Sequence, residues 1–363
     1  MNWGDNLMLA EDTADTHTRG HLQLSMYALH LAAGNNIHCR SLRLATIEQY
    51  VLAASSLLAQ FSGVDYRKEG TGSGRLGPLL SAVYREHRRY EAVPDRREPY
   101  DLHMHRAARA EASNHSVLTL IPSLTDWFEV GLMAGLRLSE WAQPSGKGSV
   151  LTPTLHDVPG INPRTRALIA DDVRALTTDL RHVRGLALAN LDPSKIAKMW
   201  VKFRVQKNGQ HGEERLFVPN PTSGGHCFVS AMLRILRRFD RVRRLDSRID
   251  PSTTPLSVCW DAVAREARLI VSSNIDTFMR YLASKVYHID PIREKAALQK
   301  WGSHSLRVGA CVLLHAMDFS PIDIQWMLRW RSQAFMVYLR NISILPRRQA
   351  VAFDRAAAMP HLI

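Results

Sequence analysis

Six residues near the C-terminus have side chains and spacings that suit phosphoryl transfer. A histidine and an arginine three residues apart share one helical face and can hold a single anionic oxygen centre. An indole N–H is a hydrogen-bond donor only, and a tyrosine hydroxyl eight residues after it can attack phosphorus. We interpret the set as half of a phosphoryl-transfer site that uses no metal; it comprises His304, Arg307, Trp330, Arg331, Ser332 and Tyr338.

The other half of the predicted site lies upstream. Arg137 follows an apolar helical segment that ends at Gly135, and Glu140 comes three residues later. Lys207 stands directly before Asn208-Gly209, a dipeptide typical of tight hairpin turns. Apolar and polar residues alternate on the approach to this turn, so the sequence predicts a β-hairpin with Lys207 at its tip.

The composition limits the class of protein. A chain of 363 residues with 45% hydrophobic content predicts two or three domains with sizeable cores. The formal net charge of +13 indicates a polyanionic partner, most simply nucleic acid. No apolar run approaches the ~20 residues that span a membrane, and the N-terminus lacks the features of a signal peptide. We expect an intracellular protein, nuclear if its source is eukaryotic.

The cysteines and histidines do not predict a metal centre. The four cysteines are far apart and lack Cys-x-x-Cys spacing, which favours reduced thiols. His103 and His105 could form a metal-binding pair, but the sequence shows no third ligand nearby. We interpret both as linker histidines and expect no metal and no cofactor.

Periodicity and composition divide the chain into five segments. Residues 1–16 are acidic and predicted to be disordered, and residues 17–92 have helical patterning. Residues 93–106 are charged, contain two prolines and are interpreted as a linker. Residues 107–345 contain the candidate site, and residues 346–363 form an Arg- and Ala-rich C-terminal helix or tail.

Several helix boundaries can be predicted from capping residues. Thr46 with Gln49 reads as a capping box, and the helix that it opens is expected to end at Ser62-Gly63. Ser320 is the expected N-cap of a short helix with Pro321 at its first position.

Two basic helix faces are candidates for contact with a phosphate backbone. One lies on a helix predicted from about Leu79 to Tyr90, and the other accompanies an apolar stripe between Phe228 and Arg244. A basic face is usually solvated, but here it could track a nucleic-acid strand. The candidate contacts are Arg85, Arg88, Arg89, Arg237, Arg241 and Arg244.

The ordered set of motifs resembles the tyrosine recombinase (phage integrase) family, over roughly residues 115–345 and more loosely in the helical N-terminal part. The step from Trp330 to Tyr338 and the run Trp-Arg-Ser-Gln-Ala-Phe resemble the recombinases of eukaryotic DIRS-type and Crypton mobile elements most. The resemblance implies a mostly α fold with a small antiparallel β-sheet (α+β). In that fold a helical, SAM-like core-binding domain that clamps DNA precedes the catalytic domain.

The resemblance also implies roles for the residues. Tyr338 would be the nucleophile that forms a 3′-phosphotyrosyl bond, His304 the base, and Lys207 the acid that protonates the leaving 5′ oxygen. Glu140 would orient Arg137 from behind. The implied partner is double-stranded DNA, bound by four protomers acting on two duplexes. The catalytic set is Arg137, Lys207, His304, Arg307, Trp330 and Tyr338.

Two departures and two alternatives stay open at this point. Leu328-Arg329 stands where the family usually has a glycine, so the local turn geometry is in question. Lys202 competes with Lys207 for the acid role, although Lys207 is preferred because it sits at the turn. The alternatives are a type IB topoisomerase-like enzyme that relaxes DNA, and a domesticated, non-catalytic DNA-binding protein on the same scaffold.

Overall fold

The structure, a computed structural model, describes residues 14–34, 42–69, 74–90, 97–143, 167–204, 212–220, 226–330 and 335–339. The described chain is mostly helical with small antiparallel sheets, so the predicted fold class is confirmed. It divides into two compact units, Met1–Pro94 and Asp95–Ile363. None of the described helices combines the length and apolar character that a membrane span requires.

The first unit contains three described helices, α1 (Ala14–Ala32), α2 (Leu44–Ser62) and α3 (Pro78–Tyr90). Their apolar faces meet in one core that includes Leu24, Ile47 and Leu80. As predicted, α2 ends at Gly63, which adopts a left-handed φ of 71°. The predicted capping box is wrong, because the N-cap of α2 is Arg43, three residues before Thr46, and it makes no side-chain cap.

The second unit surrounds a larger core with nine described helices and six strands. The helices are α4 (Leu102–Ala112), α5 (Leu120–Ala134), α6 (Leu138–Trp141), α7 (Phe228–Leu245), α8 (Ser272–Tyr287), α9 (Lys295–Leu298), α10 (Ser305–Ala316), α11 (Pro321–Met327) and α12 (Met336–Leu339). The strands are β1 (Val173–Thr177), β2 (His182–Arg184), β3 (Ile196–Phe203), β4 (Glu213–Phe217), β5 (Val258–Asp261) and β6 (Glu266–Leu269).

The larger sheet contains the predicted hairpin. Its strand order is β2-β1-β3-β4, and all neighbouring strands are antiparallel. Met199, Val201 and Phe203 face the core while Lys202 is exposed, which confirms the predicted alternation. β3 pairs with β4 up to Phe203 and Glu213. The turn with Lys207 lies outside the described residues.

A second hairpin, β5–β6, was not predicted from the sequence. Its strands are four residues long each and pair from Val258–Leu269 to Asp261–Glu266. The turn between them lacks the Asn-Gly or Asp-Gly dipeptide that normally identifies a hairpin. Instead Arg265 adopts a φ of 52°, a left-handed conformation that is uncommon for a non-glycine residue.

The predicted linker at 93–106 is wrong for its second half. Tyr100 and His105 are fully buried, and α4 begins at Leu102. Asp101 caps this helix by accepting a 2.9 Å hydrogen bond from the backbone N–H of Met104. Among the described charged residues of this stretch, Asp101 is the cap of α4 and Arg106 lies on its exposed face.

The predicted boundary of α11 is confirmed. Ser320 is its N-cap and accepts a 3.1 Å hydrogen bond from the N–H of Asp323, with Pro321 in the first turn. The predicted apolar stripe of α7 is also buried; its members are Val229, Met232, Leu233, Leu236 and Phe239.

The central helix α10 packs between α5 and the chain segment that leads into α4. A Cβ at Gly309 would lie 2.0 Å from the carbonyl oxygen of Tyr100, so the segment can approach only because Gly309 has no side chain. The N–H of Tyr100 donates a 2.9 Å hydrogen bond to the carbonyl of Ser305. This contact holds the start of α10, and with it His304 and Arg307, against the core.

Gly309→Ala should destabilise the protein even though alanine favours helices. Alanine gains about 1 kcal/mol over glycine in a helix interior, whereas forced overpacking costs about 1–3 kcal/mol or more. We expect a net loss in the free energy of unfolding, measured by urea denaturation. Gly74→Ala is the control, because a Cβ there would meet no atom within 4 Å. Equal stability of the two variants would contradict the close approach.

Candidate active site

The turn after α5 brings Arg137 into the second unit's interior. Gly135 ends α5 with a φ of 56°, and a Cβ at this position would lie 2.6 Å from the side chain of Leu328. Glycine is required both for the left-handed conformation and for this approach. Arg137 follows as the N-cap of α6, which confirms the predicted placement after a glycine-terminated helix.

Glu140 is a buried carboxylate held between two guanidinium groups. It accepts hydrogen bonds from the backbone N–H of Arg137 at 2.8 Å and from its Nη1 at 3.0 Å. It also accepts from Nη2 of Arg329 at 2.7 Å. The Glu140 side chain is therefore in position to orient Arg137. Its hydrogen bond with Arg329 was not predicted from the sequence.

Arg329 replaces the expected glycine and keeps the glycine-like backbone. Its φ is 57°, and its side chain is fully buried with the guanidinium 3.7 Å from the ring centroid of Phe203. Its carbonyl accepts a 2.8 Å hydrogen bond from Nη2 of Arg137. The side chain is thus anchored by an ion pair and an aromatic face, which offset the left-handed strain.

Arg307 is buried at the first turn of α10 and links three chain segments. Its Nη1 donates to the carbonyl of Gly135, and its Nη2 donates to the carbonyl of Leu328. The guanidinium also lies 4.3 Å from the ring centroid of Trp330. Burial and the neighbouring charge of Arg137 lower the pKa of Arg307. Such a site favours an anion that would restore the balance of charge.

His304 and Tyr338 form a direct hydrogen-bonded pair. The His304 Nε2 lies 2.8 Å from the hydroxyl of Tyr338, which is carried by the short helix α12. Desolvation, together with the charges of Arg307 and Arg97, lowers the pKa of His304, so its ring is neutral near pH 7. Burial raises the pKa of Tyr338, and Arg307 opposes that rise. At rest the pair therefore consists of a neutral imidazole and a protonated phenol.

Trp330 lies beside the same pair. The ring centroids of Trp330 and Tyr338 are 6.0 Å apart. The indole N–H is buried without a hydrogen-bond acceptor of ordinary geometry among the described residues. It lies close enough to the thiol of Cys311 to oppose the rise that burial causes in the pKa of that thiol.

Some predicted site residues are not placed with this cluster. Lys207, Arg331 and Ser332 lie outside the described residues. Lys202 is exposed on β3, and its Cε would lie 3.5 Å from a Cβ added at Gly212, just before β4. The choice between Lys202 and Lys207 as the acid stays a prediction.

The basic faces differ in how far their arginines are engaged. On α3, Arg85, Arg88 and Arg89 are exposed, and the latter two pair with Glu48 at 3.6 Å and with Glu86 at 3.1 Å. On α7, Arg237 donates to the carbonyls of Ala189 and Leu191, and Arg244 pairs with Asp240 at 2.6 Å. Arg241 is exposed. Part of the predicted α7 face therefore holds the fold together.

Arg329 is the functional candidate that the sequence analysis missed. The available sign was the arginine at a position where the resembling family has glycine. A buried guanidinium cannot be inferred from sequence, because arginine is normally exposed. In the structure it completes a cluster in which three guanidinium groups surround one carboxylate; the cluster consists of Arg137, Arg307, Arg329 and Glu140.

Arg329→Gly should destabilise the protein although it relieves a left-handed conformation. The relief is worth about 1–2 kcal/mol, whereas removing one partner of a buried ion pair costs about 3–5 kcal/mol. We expect a net loss of roughly 1–4 kcal/mol in chemical denaturation. Arg265→Gly is the matched control, because Arg265 also has a positive φ but is exposed; it should be neutral or stabilising. A stabilised Arg329→Gly variant would show that the buried pair does not matter.

Comparison with known proteins finds similarity in structures but not in sequences. No family model matches the chain, and no curated protein sequence matches it. A Tn1549 transposon integrase in complex with transposon right end DNA superposes with a TM-score of 0.43 and 13% identity, over 93% of this chain and 85% of that one.

Two further solved structures are similar to the same degree. The Tn1549 integrase in complex with circular intermediate DNA gives a TM-score of 0.41 and 14% identity, covering 95% of this chain and 87% of that one. The XerA recombinase gives a TM-score of 0.37 and 12% identity, covering 94% and 93%. Likenesses this distant do not establish the family or the activity of this chain.

Proposed function

We propose that the chain is a tyrosine-type DNA recombinase that cleaves and rejoins DNA through a 3′-phosphotyrosyl intermediate. The observation that carries the proposal is the 2.8 Å contact between His304 Nε2 and the Tyr338 hydroxyl. It lies beside the buried guanidinium of Arg307, whose charge acts on both groups. A base, a nucleophile and a cation are thereby combined in one place.

The chemistry follows from the protonation states of the pair. Neutral His304 takes the phenol proton of Tyr338 as the oxygen attacks phosphorus, because a free phenolate is costly in this buried site. The new bond joins tyrosine oxygen to phosphorus, and the bond from phosphorus to the 5′ oxygen breaks. Lys207, or alternatively Lys202, then protonates the departing 5′ oxygen. The reverse sequence with another 5′ hydroxyl rejoins strands without ATP.

The positive charge among these described side chains supports a phosphate as the ligand. Three guanidinium groups around one carboxylate leave a formal charge of +2, from 3 − 1, among Arg137, Glu140, Arg307 and Arg329. The attacked phosphodiester gains negative charge in the transition state, so preorganised positive charge stabilises it more than the ground state. Both terminal nitrogens of Arg307 already donate to backbone carbonyls. We therefore infer that Arg307 stabilises the phosphate through its positive charge as well as through any direct hydrogen bond.

The remaining features support double-stranded DNA as the partner. The net charge of +13 favours a polyanion. The exposed residues Arg85, Arg88, Arg89 and Arg241 are the proposed backbone contacts. We propose further that the first unit clamps DNA as a core-binding domain, and that four protomers act on two duplexes. The finer proposals are an origin in a mobile element, with a step in DNA integration or transposition, and action in the nucleus of a eukaryotic host.

The products of the reaction distinguish a topoisomerase-like enzyme that relaxes DNA from a recombinase. A type IB topoisomerase-like activity would change the linking number of a supercoiled plasmid as a monomer. A recombinase would instead exchange strands between two sites taken from the flanks of the native locus. Strand exchange without relaxation of a site-free plasmid is the expected result.

Tyr338→Phe should abolish the covalent protein–DNA adduct on a nicked suicide substrate. The change removes one oxygen and keeps the aromatic ring, so DNA affinity should stay within about twofold of the wild type. Tyr281→Phe is the matched control, because it also removes one hydroxyl, one that donates to Glu111. Adduct formation by the Tyr338→Phe variant would identify another nucleophile and overturn the assignment.

The pH dependence of cleavage should report His304. Its pKa is lowered from 6.5, so the neutral, proton-accepting form is fully present at pH 7 and is lost as the pH falls through that lowered value. The second-order cleavage rate constant, which reflects the free protein, should be level near neutrality and fall with a midpoint below 6.5. His304→Gln should be slower by about 10²–10⁴-fold and lose this acid limb. An unchanged acid limb in that variant would exclude His304 as the base.

A further inference from the structure

A second cluster of chemically active side chains lies in the second unit, on residues other than those of the candidate active site. His105 comes from α4, Glu129 from α5, and His226 from the segment just before α7. One ligand atom from each lies within 4.8 Å of those from the other two. The two imidazole rings are 4.9 Å apart between centroids. The fold therefore brings two histidines and one glutamate, distant in sequence, close enough to bind a common ligand.

Two nitrogen atoms of this cluster are buried without a hydrogen-bond partner among the residues that the structure describes. They are Nε2 of His105 and Nδ1 of His226. His105 is fully buried, and its Nε2 faces Oε2 of Glu129 at 3.6 Å, too far for a hydrogen bond. Nδ1 of His226 faces Oε1 of the same carboxylate at 4.0 Å. Buried polar atoms normally have partners, so both nitrogens point to a ligand placed between them and the carboxylate.

The distances suit a tetrahedral metal ion. Zinc binds histidine nitrogen at about 2.0–2.1 Å and carboxylate oxygen at about 2.0–2.2 Å, which places neighbouring donors roughly 3.3 Å apart. The observed separations of 3.6 Å and 4.0 Å exceed this value, and all three ligand atoms lie within 4.8 Å of one another. The side chains must therefore move closer together, by up to roughly 1.5 Å, when the ion binds. Two histidines and one glutamate also form a donor set that favours zinc over magnesium.

The surrounding contacts resemble those that orient metal ligands. Nδ1 of His105 lies 3.0 Å from the hydroxyl of Tyr100, an arrangement that leaves Nε2 available as a lone-pair donor when Nδ1 carries the proton. The backbone N–H of Cys227 donates a 3.0 Å hydrogen bond to Oε1 of Glu129.

One neighbouring cation competes with a metal. Arg234 donates a 2.8 Å hydrogen bond to Oε2 of Glu129, and its charge reduces the attraction for a second cation. The competing explanation is therefore a protonated His105 paired with Glu129 and no metal.

We propose that His105, Glu129 and His226 form a binding site for Zn²⁺ or a similar imidazole-preferring divalent ion. The ion joins α4, α5 and the start of α7, so its role is structural. It takes no part in the proposed strand cleavage, which needs no metal.

The test uses the full chain, stripped of metal with a chelator and titrated with ZnCl₂. Calorimetry should show one zinc per chain, Co²⁺ should give the strong visible absorption of a tetrahedral site, and zinc should raise Tm by at least about 3 °C where MgCl₂ does not. His226→Gln changes the partly exposed ligand and should weaken zinc binding at least ~10-fold. His103→Gln, an exposed histidine on the same helix as His105, is the matched control and should bind like the wild type.

A second variant distinguishes loss of zinc binding from misfolding. Tyr100→Phe keeps all three ligands and removes the hydrogen bond to His105, so zinc affinity should fall about 10-fold while the helical content is unchanged. No zinc binding by the wild-type chain would overturn the proposal in favour of the histidine–carboxylate pair. Equal binding by wild type and His226→Gln, or equal stabilisation by magnesium and zinc, would overturn it as well.

Discussion

The candidate site depends on holding three guanidinium groups, two of them buried, close to one buried carboxylate. Moving an ion out of water costs several kcal/mol unless it finds partners. Glu140 supplies a partner to Arg137 and Arg329, and backbone carbonyls supply partners to Arg307. These contacts join the end of α5, the end of α11 and the start of α10. The fold of the second unit therefore brings together chain segments that no local interaction would hold.

Backbone geometry and electrostatics are coupled at this point. Gly135 and Arg329 both adopt left-handed conformations, and their carbonyls accept from Arg307 and Arg137 respectively. The sharp turns aim these carbonyls inward, where their partial negative charge lowers the cost of the cations. Because the carbonyls offset only part of that charge, the cluster retains a surplus that suits an anionic transition state.

Local patterns predicted the elements well and the long-range contacts poorly. The end of α2 at Gly63, the cap of α11 at Ser320 and the β3–β4 alternation follow from residues within a few positions of each other. The α4 boundary was mistaken because charged residues of a capping segment resemble those of a linker. The β5–β6 hairpin was missed because its turn uses Arg265 in place of glycine or asparagine.

The sequence alone determined the types and order of the reactive residues, the hydrophobic periodicity of the helices and the surplus of positive charge. Residue order and periodicity are local properties and net charge is a sum over residues, so all three can be determined from the sequence. Tertiary structure decided that His304 touches Tyr338, that Arg329 is buried against Glu140, and that His226 joins His105 and Glu129. Such contacts join residues up to 189 positions apart. Their formation depends on packing of the whole core, which residue spacing does not encode.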